Sequence, residues 1–149
     1  MKPVTRMAEA AWKGNLDQGH GLVTTESETL LESPFLFTKR IDQADRSVTN
    51  PEELIAAALA SCFSMALSKT LQDDEAVAQK LVVRADITLD VTDAGPKINK
   101  LKLDVEGQVS GYTEKQFEQA VETTRKNCPV IKLLEPGLET IDMTVRLGN

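Results

Sequence analysis

From Leu54 to Leu67 the chain reads Leu-Ile-Ala-Ala-Ala-Leu-Ala-Ser-Cys-Phe-Ser-Met-Ala-Leu, without a charged side chain. Alanine and leucine favour a helix, and a helix lacking a polar face needs other apolar surface over nearly every side. The stretch therefore predicts a central helix around which the rest of the fold is arranged. Its start is marked by Asn50 as a cap, Pro51 in the first turn, and Glu52 and Glu53 at the positive end of the dipole. Ser61, Cys62 and Ser64 interrupt the apolar run, and no charged leader precedes it, so the expectation is a core helix of a soluble, cytoplasmic protein with no membrane partner.

Ahead of this helix three stretches read as strands: Arg6 to Lys13, Leu22 to Glu26, and Phe35 to Arg40, cut apart by Lys13-Gly14-Asn15 and Glu32-Ser33-Pro34. Beyond it Val83, Ala85, Ile87, Leu89 and Val91 alternate with polar residues, as do Leu101, Leu103 and Val105. With Asp93-Ala94-Gly95-Pro96 between them, they predict a hairpin with one solvated face. Thr113 and Gln116 form a capping-box pair, and Phe117, Ala120, Val121, Thr124 and Cys128 follow at helical spacing until Pro129 breaks or restarts the helix. Ile141, Met143, Val145 and Leu147 supply a last strand. The order βββ-α-ββ-α(α)-β is that of one α+β domain over residues 1–149.

The net charge is −6 and the basic residues are scattered, which argues against a nucleic-acid partner and for a neutral or apolar substrate. Two cysteines are too few for a disulfide framework. No metal site is expected, because the lone His20, between Gly19 and Gly21, suits a solvated turn and no zinc-ligand spacing is present. No cofactor is implied.

The cysteines themselves admit two readings. Cys62 in the apolar helix and Cys128 before Pro129 can be small apolar fillers, or they can form a reversible disulfide within one molecule. A thiol inside an apolar helix needs a neighbouring cation to ionise. The helix dipole fades within the first turn and Cys62 lies about three turns from the start, whereas one guanidinium at about 4 Å supplies enough. Arg40 is the candidate cation, otherwise a surface charge at a strand end, and Glu52 is the candidate to hold it, otherwise an acid that serves the helix dipole. In a straight helix Glu52 is about 15 Å along the axis from Cys62, so the arginine must bridge or the helix must bend. Phe35, Phe37, Leu54, Ile55 and Phe63 can line an apolar pocket or serve as plain core.

Three segments in order, AWKGNLDQGHGLVTTES (11–27), NPEELIAAALASCFSMALS (50–68) and NCPV (127–130), resemble the OsmC/Ohr family of thiol-dependent hydroperoxide reductases over nearly the whole chain. The resemblance implies an OsmC-like fold with antiparallel sheets around the central helix, and an intertwined homodimer with its site at the subunit interface. It implies a peroxidatic thiolate at Cys62, a resolving thiol at Cys128, and an activating pair at Arg40 and Glu52. Its substrate would be an organic hydroperoxide, with hydrogen peroxide as a second candidate, and its reductant an external dithiol of lipoyl type. The Ohr branch carries its arginine on an earlier strand, where this chain has Gly19-His20-Gly21; Arg40 after Phe35 and Phe37, with Trp12 in the opening, is similar to the OsmC branch. The rival is a non-catalytic redox sensor or binding module using the same sulfur pair. A cysteine acyl-transfer enzyme would lack a histidine base.

Overall fold

Short apolar stretches cut by Gly14, Gly19 and Pro34 become an antiparallel three-stranded sheet in the computed structural model, which describes residues 1–148. Its strands are β1 (Ala8–Lys13), β2 (His20–Thr25) and β3 (Ser33–Phe35). His20 does not occupy a turn; it opens β2, exposed and opposite Lys13. Gly21 faces Trp12 on one side and Phe35 on the other. A Cβ at Gly21 would stand 2.1 Å from Phe35 Cζ, so glycine is what lets that ring lie against the strand, tilted at 37° to Trp12 with centroids 5.8 Å apart.

The stretch expected to be a strand from Phe35 to Arg40 is divided. Phe35 ends β3, Leu36 is extended, and Phe37–Ile41 turn into a short helix, α1. Arg40 therefore sits on a helix and not at a strand end. Lys39 of the same helix pairs with Asp45 in the following loop, and the Asp45 carboxylate also accepts the Ser47 amide at 2.8 Å. The Lys39 hydrogen bond, followed by those from Ser47, draws the Asp45 pKa down to about 2. By contact pattern the chain divides into one unit, Met1–Pro51, and a second from Glu52 onward.

The central helix, α2 (Pro51–Asp73), starts where the sequence places it. Its burial differs from expectation: only Leu59, Phe63, Leu67 and Leu71 are buried, one stripe at four-residue spacing, while Ala58, Ser61 and Ser68 are exposed and Met65 is 68% exposed. One chain supplies cover for one side alone. By length and composition α2 is able to cross a membrane, but its stripe is part of a protein core.

That core is completed by β4 (Ala78–Thr92) and β5 (Gly95–Val109), an antiparallel hairpin with Asp93 and Ala94 at the turn and Gly95 at φ +109°. Leu101, Leu103 and Val105 of β5 point inward. Helix α3 (Glu114–Asn127) carries both bonds of the Thr113/Gln116 capping box and buries Phe117, Ala120, Val121 and Thr124. Helix α4 (Pro129–Leu134) follows after Cys128, then a 3-10 turn (Glu135–Gly137), then β6 (Thr140–Gly148). β6 pairs with β5 in parallel, so the second sheet is mixed, not antiparallel throughout. The α3–α4 crossover carries the chain back far enough for a parallel partner, which a tight turn cannot do. The order βββ-α-ββ-α(α)-β of an α+β fold is otherwise as expected, with α1 added.

Gly107 on β5 lies under Phe117, whose Cζ would be 2.4 Å from an added Cβ. Gly107→Ala is expected to destabilise by about 1–3 kcal/mol through overpacking, whereas Gly137→Ala, with nothing within 4 Å of its Cβ, should be near neutral. Urea unfolding of both variants checks this; equal midpoints would show that Phe117 has room to move.

Candidate functional site

Cys62 is one residue before Phe63 of the buried stripe, so it lies at the stripe's edge and is partly exposed. Cys128 sits between two helices. Its amide donates to Thr124 O at 2.8 Å, closing α3, and its carbonyl accepts the Lys132 amide at 3.1 Å, opening α4. Pro129 fits the first position of α4 because its missing N–H would have no helical partner there. Fixed from both sides, the Cys128 side chain is 0% exposed.

The two sulfurs meet. Cys128 Sγ donates to Cys62 Sγ at 3.6 Å, and both cysteines are free thiols. A disulfide needs about 2.05 Å, so a closure of about 1.5 Å separates this reduced pair from a bond. Burial pushes the Cys128 thiol above its ordinary pKa, the Ile131 amide works against that, the Cys62 contact adds to it, and the Val130 amide opposes it.

A second contact ties the helices bearing the thiols. Thr124, fully buried, has its hydroxyl 3.0 Å from the Thr70 hydroxyl, while Ala120 O lies 2.8 Å from Thr124 Oγ1 and Ala66 O lies 3.1 Å from Thr70 Oγ1. One hydroxyl proton can bridge α2 and α3 while the other satisfies a helix carbonyl. Thr124 was visible in sequence only as a member of the α3 apolar face; its link to Thr70 has no signature in spacing.

Within the first unit, a cavity of about 280 Å³ has Trp12, Leu16, Phe35, Leu36 and Phe37 as apolar walls and Arg40 as its charged lining residue. Phe35 and Phe37 thus line a pocket, as expected. Phe63 does not; it is buried among the core residues of the second unit. Leu54 and Ile55 are half-buried on α2, and Glu52 stands in the first turn of that helix. A larger polar cleft of about 580 Å³ lies between the end of α2 and α3, where Tyr112 donates to Asp74 at 2.9 Å. Among the described residues no group of three or more His, Cys, Asp or Glu is placed to hold a metal ion.

The OsmC-like protein family matches residues 44–141. The chain is 36% identical to Peroxiredoxin OsmC of Escherichia coli over 96% of its own length and 98% of that protein. It is 32% identical to Organic hydroperoxide resistance protein-like 2 of Staphylococcus saprophyticus, over 67% of this chain and 68% of that one. In fold it is similar to the OsmC-like protein of Mycoplasma pneumoniae, with TM-score 0.76 at 14% identity over 99% of this chain and all of that one. An organic hydroperoxide resistance protein OsmC from Legionella pneumophila gives TM-score 0.70 at 21% identity over the full length of both.

The upward shift at Cys128 has a stability consequence whose sign is fixed. Below the ordinary thiol pKa of 9.0 both states keep the proton; above it the unfolded chain releases the proton first, so stability falls as pH rises until the folded thiol also ionises. Under reducing conditions, thermal unfolding should show wild type losing stability through the alkaline range relative to Cys128→Ala. Parallel curves for the two proteins would contradict the shift.

Proposed function

The chain belongs to the OsmC-like protein family, and from that membership and the sulfur pair we propose that it is a thiol-dependent peroxidase acting on organic hydroperoxides. The observation that carries this reading is the 3.6 Å contact between Cys62 and Cys128. The partly exposed Cys62 is the attacking sulfur. As thiolate it takes the distal peroxide oxygen, the O–O bond breaks, and the departing alkoxide picks up a proton to leave as an alcohol. Cys128 then attacks the sulfenic sulfur and water departs, leaving a disulfide that an external dithiol, of lipoyl type by the family resemblance, reduces. The names of the Escherichia coli and Staphylococcus relatives support a peroxide substrate.

Arg40 is assigned to the negative charge developing on the two oxygens, with Glu52 orienting it. Its position in an apolar-walled cavity supports this role, since such a cavity suits an alkyl group with the peroxide beside the guanidinium. The uncovered side of α2, with Met65 largely exposed, supports a homodimer in which a second copy supplies the missing cover. Residues 1–149 then form one OsmC-like domain. Reduced thiols and the acidic composition suit the cytoplasm.

Peroxide consumption is measured for wild type, Cys62→Ser, Cys128→Ser and Arg40→Met with a dithiol and either cumene hydroperoxide or hydrogen peroxide. Cys62→Ser should be inactive, Cys128→Ser should accumulate a trappable sulfenic acid, and Arg40→Met should lose about 10²–10³ in kcat/KM. Equal, negligible rates in every protein would favour a redox sensor or binding module. Phe37→Ala should raise KM for cumene hydroperoxide about tenfold and leave that for hydrogen peroxide unchanged; equal effects on both would remove the cavity from substrate binding.

A further inference from the structure

The two sulfurs are unequal in a way that bears on how their disulfide would be opened. Cys128 has no exposure, and every atom that covers it belongs to this chain. A second subunit can cover more of Cys62, but it cannot uncover Cys128. Thiol–disulfide exchange requires the incoming thiolate to reach one sulfur from outside while the other departs, and access selects which sulfur that is.

From this asymmetry we propose that the reductant attacks Cys62 Sγ and that Cys128 is the leaving group. The inference rests on the two-cysteine peroxidase reading above. In the first step a bond forms between the reductant sulfur and Cys62, the Cys62–Cys128 bond breaks, and its electron pair goes to Cys128 as a thiolate. That thiolate is released where the amides of Ile131 and Val130 favour the charged form, and burial then favours its protonation to the thiol. In the second step the other thiol of the dithiol attacks the reductant sulfur bound to Cys62. Cys62 leaves as thiolate, ready for the next peroxide, and the reductant departs as a cyclic disulfide, two electrons poorer. The same sulfur thus meets the oxidant and the reductant, and Cys128 meets neither.

The test uses the full chain with its disulfide formed by diamide, so that it does not depend on peroxide turnover. Excess 2-mercaptoethanol is added briefly, the reaction is quenched in acid, and freed thiols are alkylated after denaturation. Peptide mass mapping should place the mercaptoethanol adduct on Cys62 and the alkyl group on Cys128. The adduct on Cys128, or an even split, overturns the proposal. Should reclosure keep the adduct below detection, native and denatured rates with a chromogenic aryl disulfide decide the matter. Cys128 in Cys62→Ser should be slowed by folding on the order of tenfold or more relative to Cys62 in Cys128→Ser, and equal slowing overturns it. Inactivity toward peroxides with the adduct on Cys62 would sink the peroxidase reading and leave this regiochemistry standing.

Discussion

The sulfur pair depends on the packing of Leu59, Phe63, Leu67 and Leu71 into the same core as Leu101, Leu103 and Val105. Fully burying one such side chain stabilises by about 1.5–3 kcal/mol, whereas a contact between two thiols is a weak hydrogen bond. The core therefore places the pair; the pair does not hold the core. The stripe fixes the rotation of α2 about its axis, and with it the direction of Cys62. Phe117, Val121 and Ile131 join that core from α3 and α4, which fixes Cys128 between them.

Much of this was legible in the residues because each signal has a local physical cause. Pro51 with Glu52 and Glu53 marks a helix start whatever the tertiary setting. Thr113 and Gln116 satisfy each other's orphan donors within one turn. The alternation along β4 and β5 follows from a pleat with one face inward. Cys128 could be placed on the buried side of α3 because helical spacing from Phe117 carries it there. The meeting of the two cysteines, 66 positions apart, was an expectation drawn from family resemblance, and no local rule requires it.

The misread features share a different character. Phe35 and Phe37 two apart suggested a strand, but α1 spans only Phe37–Ile41 and is too short to show a helical period. β6 has a strand's alternation, and alternation is the same for parallel and antiparallel pairing; only the crossover through α3 and α4 decides direction. The charge-free face of α2 demanded cover that a single chain does not provide. A sequence states how much apolar surface must be buried without stating which molecule buries it.

The burial of Cys128 raises the question of how a thiol with an elevated pKa can serve as a resolving nucleophile. Each unit of upward shift costs tenfold in thiolate at neutral pH. Against this, a nucleophile already in contact with its target gains an effective concentration that can reach about 10⁵ M or more. Even a shift of several units is smaller than that gain, so what Cys128 contributes in the proposed cycle is position, and acidity is secondary. The attacking sulfur is in the opposite situation. Its peroxide arrives from solution and brings no such advantage, so a charged neighbour has to supply the rate. The need for a guanidinium therefore falls on Cys62 and not on Cys128, which is why one cation can suffice for a site built on two thiols.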